Sequence, residues 1–473
     1  MGVVVAVLTS PTAIRASPAG RSDVAPRDVV LDPADSVAAD LSDFGEAEAA
    51  EATDEADSLR AVLRRLEQLE QSVAASDARR AESVSGGAAP FCADVAPAES
   101  DCAQCAGYDG GFYVRTTDGN FSLKANCLIQ MRYIADWRDL APGDGDGGEA
   151  GFALARAPLI FSGAVLSPQL TYWLILQASR SSGNDYVEEC RINYEFENGL
   201  YLQFGRFRDP TFMRELDVSY ARQMGVERSY QYAVFSTGVQ EGLCLSKQND
   251  FLRVMTYFTD GRGSGNAGVA KDFFEDASDF AVSTGFDWKL AGDWTQYGDF
   301  ASWADEPFAA FLGADLHYEA PESGDSSPGN DLNEFFEWTV DASLERAGWM
   351  AFGSFVQRKS LAVGEEIVQN GAQALTAYQI IPDTLEPFFR YEYIDFGGFT
   401  NVGAARTAVA DSSVNLVSAG ANWYFKRHAA KATVEVVHAM DAIPVAVSSA
   451  GLLLDASARN GQTVLRTQMQ LLF

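Results

Sequence analysis

The stretch FSLKANCLIQMRYIADWRD, residues 121–139, decides the fold. Lys124, Asn126, Gln130, Arg132, Asp136 and Arg138 fall on one parity. Phe121, Leu123, Cys127, Ile129, Met131, Tyr133 and Trp137 fall on the other. A period of two means a β-strand, whose successive side chains point to opposite faces. The run far exceeds the roughly 5–6 residues of a usual globular strand.

The same texture recurs down the chain. ECRINYEF sets Glu189, Arg191, Asn193 and Glu195 against Cys190, Ile192, Tyr194 and Phe196. LEPFFRYEYID sets Glu386, Arg390 and Glu392 against Leu385, Phe389, Tyr391 and Tyr393. Weaker alternation marks 151–166, 170–182, 200–207, 238–247, 251–260, 279–289, 308–319, 334–345, 347–359, 371–381, 414–426 and 430–440, and GQTVLRTQMQLLF closes the chain at 461–473. The pattern predicts about sixteen strands, an even number as a single-chain transmembrane barrel requires.

The connections alternate in kind. Short ones fall at 167–169, 198–199, 248–250 and 382–384, and long polar ones at 139–150, 261–278, 320–333, 398–413 and 441–461. Tight turns at one end and long loops at the other is the layout of an outer-membrane barrel. The segment 290–307 breaks the rule, being too long for a tight turn.

The polar face selects the architecture. A β-sandwich core cannot hold Arg, Glu, Gln and Asn strand after strand without partners. A closed barrel puts those residues on a watery interior and Leu, Phe, Tyr and Met against lipid, and it leaves no unpaired edge. The expected fold is therefore all-β: a 16-stranded antiparallel transmembrane barrel over 111–473.

Composition excludes other classes. The 473 residues carry 35 Lys and Arg against 66 Asp and Glu, a net charge of −31, which offers no basic footprint for nucleic acid. No apolar run is long enough for a helical membrane span. With 3 histidines and no defensible nucleophile–base pair, an enzyme is not expected, nor is a bound metal or cofactor.

Ahead of the barrel the chain changes texture several times. Residues 1–20 read as the later part of a signal peptide. Residues 21–54, rich in Ala, Asp, Glu and Ser, read as an acidic disordered linker. Leu59, Val62, Leu66, Leu69 and Val73 recur at heptad spacing and predict a short coiled-coil helix over 55–75, a lone amphipathic helix being the plainer alternative. Residues 76–110 form a second linker. It carries Cys92 and the C-x-x-C of Cys102 and Cys105, which in an exported chain read first as a disulfide.

A loop at 208–237, most of it in FGRFRDPTFMRELDVSYARQMGVERSYQYAVF (204–235), interrupts the strand rhythm and is long enough to be functional. Its Gly205, Arg206, Phe207, Pro210, Phe212, Glu215, Ser219, Glu227 and Arg228 resemble the third loop of the phosphate-selective porin O and P family. FALARAPLIFSGAVLSPQLTY (152–172), SAGANWYFKRHAAK (418–431), with Gly420, Asn422, Tyr424, His428 and Lys431, and the closing LRTQMQLLF resemble the same family. The likeness spans about 111–473. One departure stands out: Ala157 follows Arg156 where that family often has a second arginine.

The resemblance implies a trimeric outer-membrane channel whose third loop folds into the pore, with the N-terminal segment in the periplasm. Its partners would be outer-membrane lipid, small anions such as phosphate, and the barrel-assembly machinery, which would read the terminal Phe473. Arg206, Arg208, Arg214 and Arg228 are the candidates for an anion-binding constriction. Lys124, Arg132, Arg156, Arg191, Arg390 and Arg466 are candidates for the pore wall. Arginines two residues from a carboxylate, as Arg191 is from Glu189, read equally well as wall ion pairs. Asp136, Glu215, Glu392 and Glu435 keep a non-specific or cation-preferring porin open. The acidic N-terminal region keeps open a tether between outer membrane and cell wall.

Overall fold

The alternating segments form strands because each buries one face while its backbone pairs on both sides. The computed structural model describes residues 105–138, 147–178, 185–208, 213–261, 278–321, 334–362, 365–402, 405–408, 413–454 and 461–473. The expected signal peptide, linkers and coiled coil over 1–104, with Cys92 and Cys102, lie outside these residues.

Sixteen antiparallel strands make one closed wall. They are β1 (Ser122–Arg138), β2 in two pieces (Gly147–Arg156 and Pro158–Val165), β3 (Ser167–Ala178), β4 (Asp185–Glu195), β5 (Leu200–Arg208), β6 (Val239–Gln248), β7 (Leu252–Thr259) and β8 (Ser278–Ala291). Next come β9 (Ala309–Pro321), β10 (Phe335–Arg346), β11 (Trp349–Ala362), β12 (Glu365–Tyr378), β13 (Leu385–Asp395), β14 (Ser413–Lys426), β15 (Ala430–Ala439) and β16 (Gln462–Leu472). Each pairs with the next, and β16 pairs with β1 from Gln462↔Arg138 to Leu472↔Leu128. Closure removes the edges that an open sheet of this width would expose.

The terminal residue completes that seam. Phe473 and Cys127 exchange both backbone hydrogen bonds, at 2.7 and 3.0 Å. Past this point the small hairpin of Ala106–Tyr108 and Phe112–Arg115 takes over the same edge of β1, pairing Phe112 with Ala125. The barrel wall therefore starts at Ser122, and 106–115 is a short extension of its sheet.

The expected strands match these bounds closely, with local shifts. The second piece of β2 and β3 are separated by Leu166 alone, at φ 68°, so the turn lies one residue before the expected SPQ. β12 begins at Glu365 rather than near 371, which leaves a connection from β11 shorter than its neighbours at that end.

The outer face is apolar. Phe152, Phe204 and Leu290 are 74%, 63% and 63% exposed, and Leu245, Leu344, Phe389 and Trp423 point the same way. So continuous an apolar face suits lipid. No helix among the described residues is long and apolar enough to cross a membrane, so strands alone form the wall.

The inner face departs from expectation on one side. From β11 to β16 it carries Met350, Phe352, Val356, Leu375, Phe388, Ile394, Val414, Leu416, Val437 and Val464, all buried. These sit beside inward Arg390, Glu392 and Glu435, so this half of the interior is a packed core, not a water-filled wall.

Candidate functional site

The packing partner of that inner core is the loop between β5 and β6. Met213, Leu216, Val218, Met224, Tyr230 and Phe235 of the loop join the cluster. Burying such side chains contributes about 1.5–3 kcal/mol each. The loop therefore folds inward because its apolar residues have a matching wall to cover.

Two short helices set its path, α1 (Met213–Asp217) and α2 (Tyr230–Phe235). The first N–H groups of a helix have no partner inside it. Wall carboxylates supply the acceptors here. Asp315 takes the N–H of Met213 at 3.2 Å and Asp341 that of Arg214 at 3.0 Å. Glu392 takes the N–H of Gln231 at 2.9 Å, and Ser229 caps α2 by accepting from Tyr232. Gly285 and Gly313 leave the room that the carboxyl groups of Asp315 and Asp341 occupy, since a Cβ at either would collide with them.

Further wall groups hold the loop between its helices. Lys431 donates to the carbonyl of Gln223, Asn422 to that of Met224, Gln470 to that of Ala221 and Arg358 to that of Phe235. Glu435 accepts from the N–H of Val226. Much of the acidic interior serves this anchoring.

The irregular turn 292–308 also folds inward. Its helix α3 (Trp294–Tyr297) has a capping box made by Asp293 and Gln296. Trp294 and Tyr297 pack on Phe311, and Phe300 packs on Phe352 at 5.1 Å. The extra length thus has a structural reason: the turn fills the barrel beneath α1.

The expected arginines separate into three groups. Arg214 is fully buried. It donates to the carbonyls of Gln296, Tyr297 and Asp299 and lies 2.5 Å from Glu345, so it bolts the loop to the inward turn. Arg228 is also buried and donates to the carbonyls of Glu215, Leu216 and Val218. Arg206 lies in strand β5, not in the loop. It shares the outward parity of Phe204 and pairs with the half-exposed Glu241 at 3.0 Å. These placements take Arg206, Arg214 and Arg228 off the lumen surface.

Arg208 does face the interior. It reaches Glu188 at 2.6 Å and Glu189 at 2.9 Å and keeps 15% of its side chain exposed. Its guanidinium lies 4.1 Å from the Tyr220 ring centroid. Arg156 approaches the same ring at 3.8 Å and Arg228 at 4.1 Å. Three cations thus surround one ring, stabilised in part by the ring quadrupole.

Of the wall candidates, Arg156 and Arg191 keep 16% and 19% exposure and pair with Glu227 and Glu189. Arg132, Arg390 and Arg466 are buried. Arg132 binds Glu227 and the carbonyl of Val226, and Arg390 binds Glu392 and Glu435. Lys124 is half-buried on the inner parity near the start of β1. Burial works against the charge of Glu227, but Arg132 and Arg156 outweigh it and hold the carboxyl well below the usual range.

Arg222 is the loop arginine that sequence reasoning passed over. It is part-exposed, and its side chain makes no hydrogen bond or ion pair among the described residues, although it lies within electrostatic reach of Asp299 and His428. The available signal was its place two residues after Tyr220 with no carboxylate beside it.

Among solved structures, the chain is similar to an anion-selective porin from Comamonas acidovorans, with a TM-score of 0.50 and 14% identity over 75% of this chain and 100% of that one. It is also similar to OprB of Pseudomonas putida, with a TM-score of 0.49 and 10% identity over 77% and 95%. OmpF of Salmonella typhi gives a TM-score of 0.46 and 12% identity over 75% and 99%. No family model matches the chain, and no curated protein matches its sequence. At these identities the first likeness supports the barrel fold, independently of the strand count.

Proposed function

We propose that the chain is an outer-membrane porin through which small solutes diffuse passively, with a preference for small anions such as phosphate. The observation that carries the preference is the convergence of Arg156, Arg208 and Arg228 on Tyr220, with Arg222 two residues beyond. Passing ions meet Arg208, Arg156 and Arg191 on the β2–β5 side, because the loop covers the opposite wall, and Arg222 on the loop itself. A guanidinium stays charged at any working pH and grips an oxyanion through two parallel hydrogen bonds. Selectivity then follows the charges lining the narrowest passage.

Several parts of this reading stand on the sequence resemblance rather than on geometry: the homotrimer, the periplasmic N-terminal coiled coil, and recognition of Phe473 by the assembly machinery. Phe473 is 41% exposed at the closing seam, which suits a signal read during assembly. No catalytic role is proposed.

The test is the zero-current potential of the purified protein in a planar bilayer under a salt gradient, repeated with phosphate. An anion-selective sign, with chloride current blocked by phosphate, supports the reading. A cation-selective sign would favour a second reading, in which Asp217 and the carboxylates of β8–β10 dominate. The exposure of Asp217 beside Arg253 is the observation behind that alternative.

A further inference from the structure

The inward loop leaves a small recess behind it. Arg228, Ser229 and Tyr230 of the loop line it, with Arg390 and Glu392 of β13 and Arg466 of β16. The three arginines are 5%, 4% and 2% exposed.

Their donors are unequally used. Arg228 spends Nε and Nη2 on loop carbonyls, and its Nη1 has no partner. Arg466 has no partner for Nε, and its Nη1 reaches Glu435 only at 3.6 Å, beyond hydrogen-bonding distance. Arg390 is better served, by Glu392 at 3.1 Å, the carbonyl of Glu227 at 3.3 Å and Glu435 at 3.4 Å.

Charge points the same way. Glu392 and Glu435 pair with this group, and Glu215, held only by the neutral donors of Ser229 and Gln373, adds a third negative charge. Glu227 beside them is shared by Arg132 and Arg156. The connected set therefore sets five guanidiniums, of Arg132, Arg156, Arg228, Arg390 and Arg466, against four carboxylates. A buried cation without a counter-charge is strongly disfavoured, and one further negative charge would balance the set. The recess holds about one water-sized sphere, so a single-atom ion would fill it and a tetrahedral oxyanion would not fit.

We propose that this recess is a resident site for one monovalent anion of halide class, held by Nη1 of Arg228 and Nε of Arg466. The ion pins the loop to β13 and β16. It does not pass through the channel, and Arg228 is the residue that the recess shares with the arginines around Tyr220.

The experiment is urea unfolding and refolding of the whole protein in vesicles, in sodium gluconate, chloride, bromide and phosphate at equal ionic strength. It is paired with anomalous diffraction from crystals grown in bromide. With halide at about ten times its Kd, the unfolding equilibrium constant falls about tenfold relative to gluconate, since only the folded state binds. Phosphate behaves as gluconate, and bromide appears within hydrogen-bonding distance of Arg228 and Arg466. Arg466→Gln removes the halide dependence. Identical unfolding in gluconate and chloride, phosphate acting as well as chloride, or a halide dependence undiminished in Arg466→Gln would each overturn the proposal. If the variant does not fold, the bromide map of the natural protein decides: a peak in the recess supports the site and an empty recess overturns it. The bilayer potential of the natural protein is insensitive to this outcome.

Discussion

The two halves of the barrel interior use opposite chemistries on the same kind of strand. From β11 to β16 the inner face is packed, with Phe352, Val356, Leu375 and Phe388 under the loop and Arg390, Glu392 and Glu435 buried among them. From β2 to β5, Arg156, Arg191 and Arg208 each keep between 15% and 19% of the side chain exposed. One half spends its polar residues on holding a loop, and the other leaves them where a passing ion meets them. An arginine on a barrel's inner face is therefore not by itself a channel residue. Its partners decide whether it binds backbone or faces water.

The sharpest way to break the packed half is Arg214→Met. It leaves Glu345 buried without its cation and frees three carbonyls, a loss of about 3–5 kcal/mol. The urea midpoint of the refolded barrel should fall accordingly, and adding Glu345→Gln should recover part of it. A midpoint unchanged in Arg214→Met would deny the bolt between loop and turn.

Phe352→Ala comes next, at about 3 kcal/mol or more for a large-to-small change in a packed core. The expected signature is a noisier, wider conductance with little change of ion preference, because a loosened loop opens the passage without altering its charges. A clean shift of selectivity without loss of stability would contradict the division between halves.

Arg208→Ala on the open half, together with Arg222→Ala on the loop, should lower the ratio of anion to cation permeability about fivefold. Removing a charge about 4 Å from the path changes an ion's energy by about 1 kcal/mol where water fills the passage. The reversal potential reads this directly, and stability should change by less than in the packed-half variants. Arg206→Ala is the matching control. Its pair with Glu241 lies on the outward parity, so the potential should stay where it was.

The smallest effect is a pH dependence at the inward turn. Burial, with the negative charges of Asp299 and Glu345, pushes the Glu306 carboxyl up to about 8. A carboxyl raised in the folded state binds its proton more tightly there than in the unfolded chain. Stability from this group is therefore present at low pH and is lost as pH rises from the ordinary carboxylate range through about 8. Glu306→Gln should flatten that part of the unfolding-versus-pH curve; an unchanged slope would remove Glu306 as its source.

The wall was legible in the sequence because period-two alternation is local. Gln130, Arg132 and Asp136 are buried inward, and Met131 and Trp137 exposed outward, as FSLKANCLIQMRYIADWRD implied. The loop's inward fold was expected from the family resemblance of 204–235; its length alone said only that the segment is functional. The site was less legible. Arg206 shares a motif and a parity with Arg208, yet Arg206 pairs with Glu241 while Arg208, at the end of β5, reaches Glu189 and the Tyr220 ring. Arg214 looked like a free loop cation, because its partners sit in the turn after β8 and on β10, far along the chain.

By itself, the sequence determined that strands alternate, how many there are, and that the chain closes on Phe473, because these depend on side chains two residues apart and on turn composition. Only the tertiary structure decided which arginines reach water. That depends on contacts between distant segments: Asp341 on the N–H of Arg214, Glu227 between Arg132 and Arg156, and Tyr220 among three guanidiniums. A charge's exposure belongs to the packing around it, and packing across a barrel leaves no periodic trace in the chain.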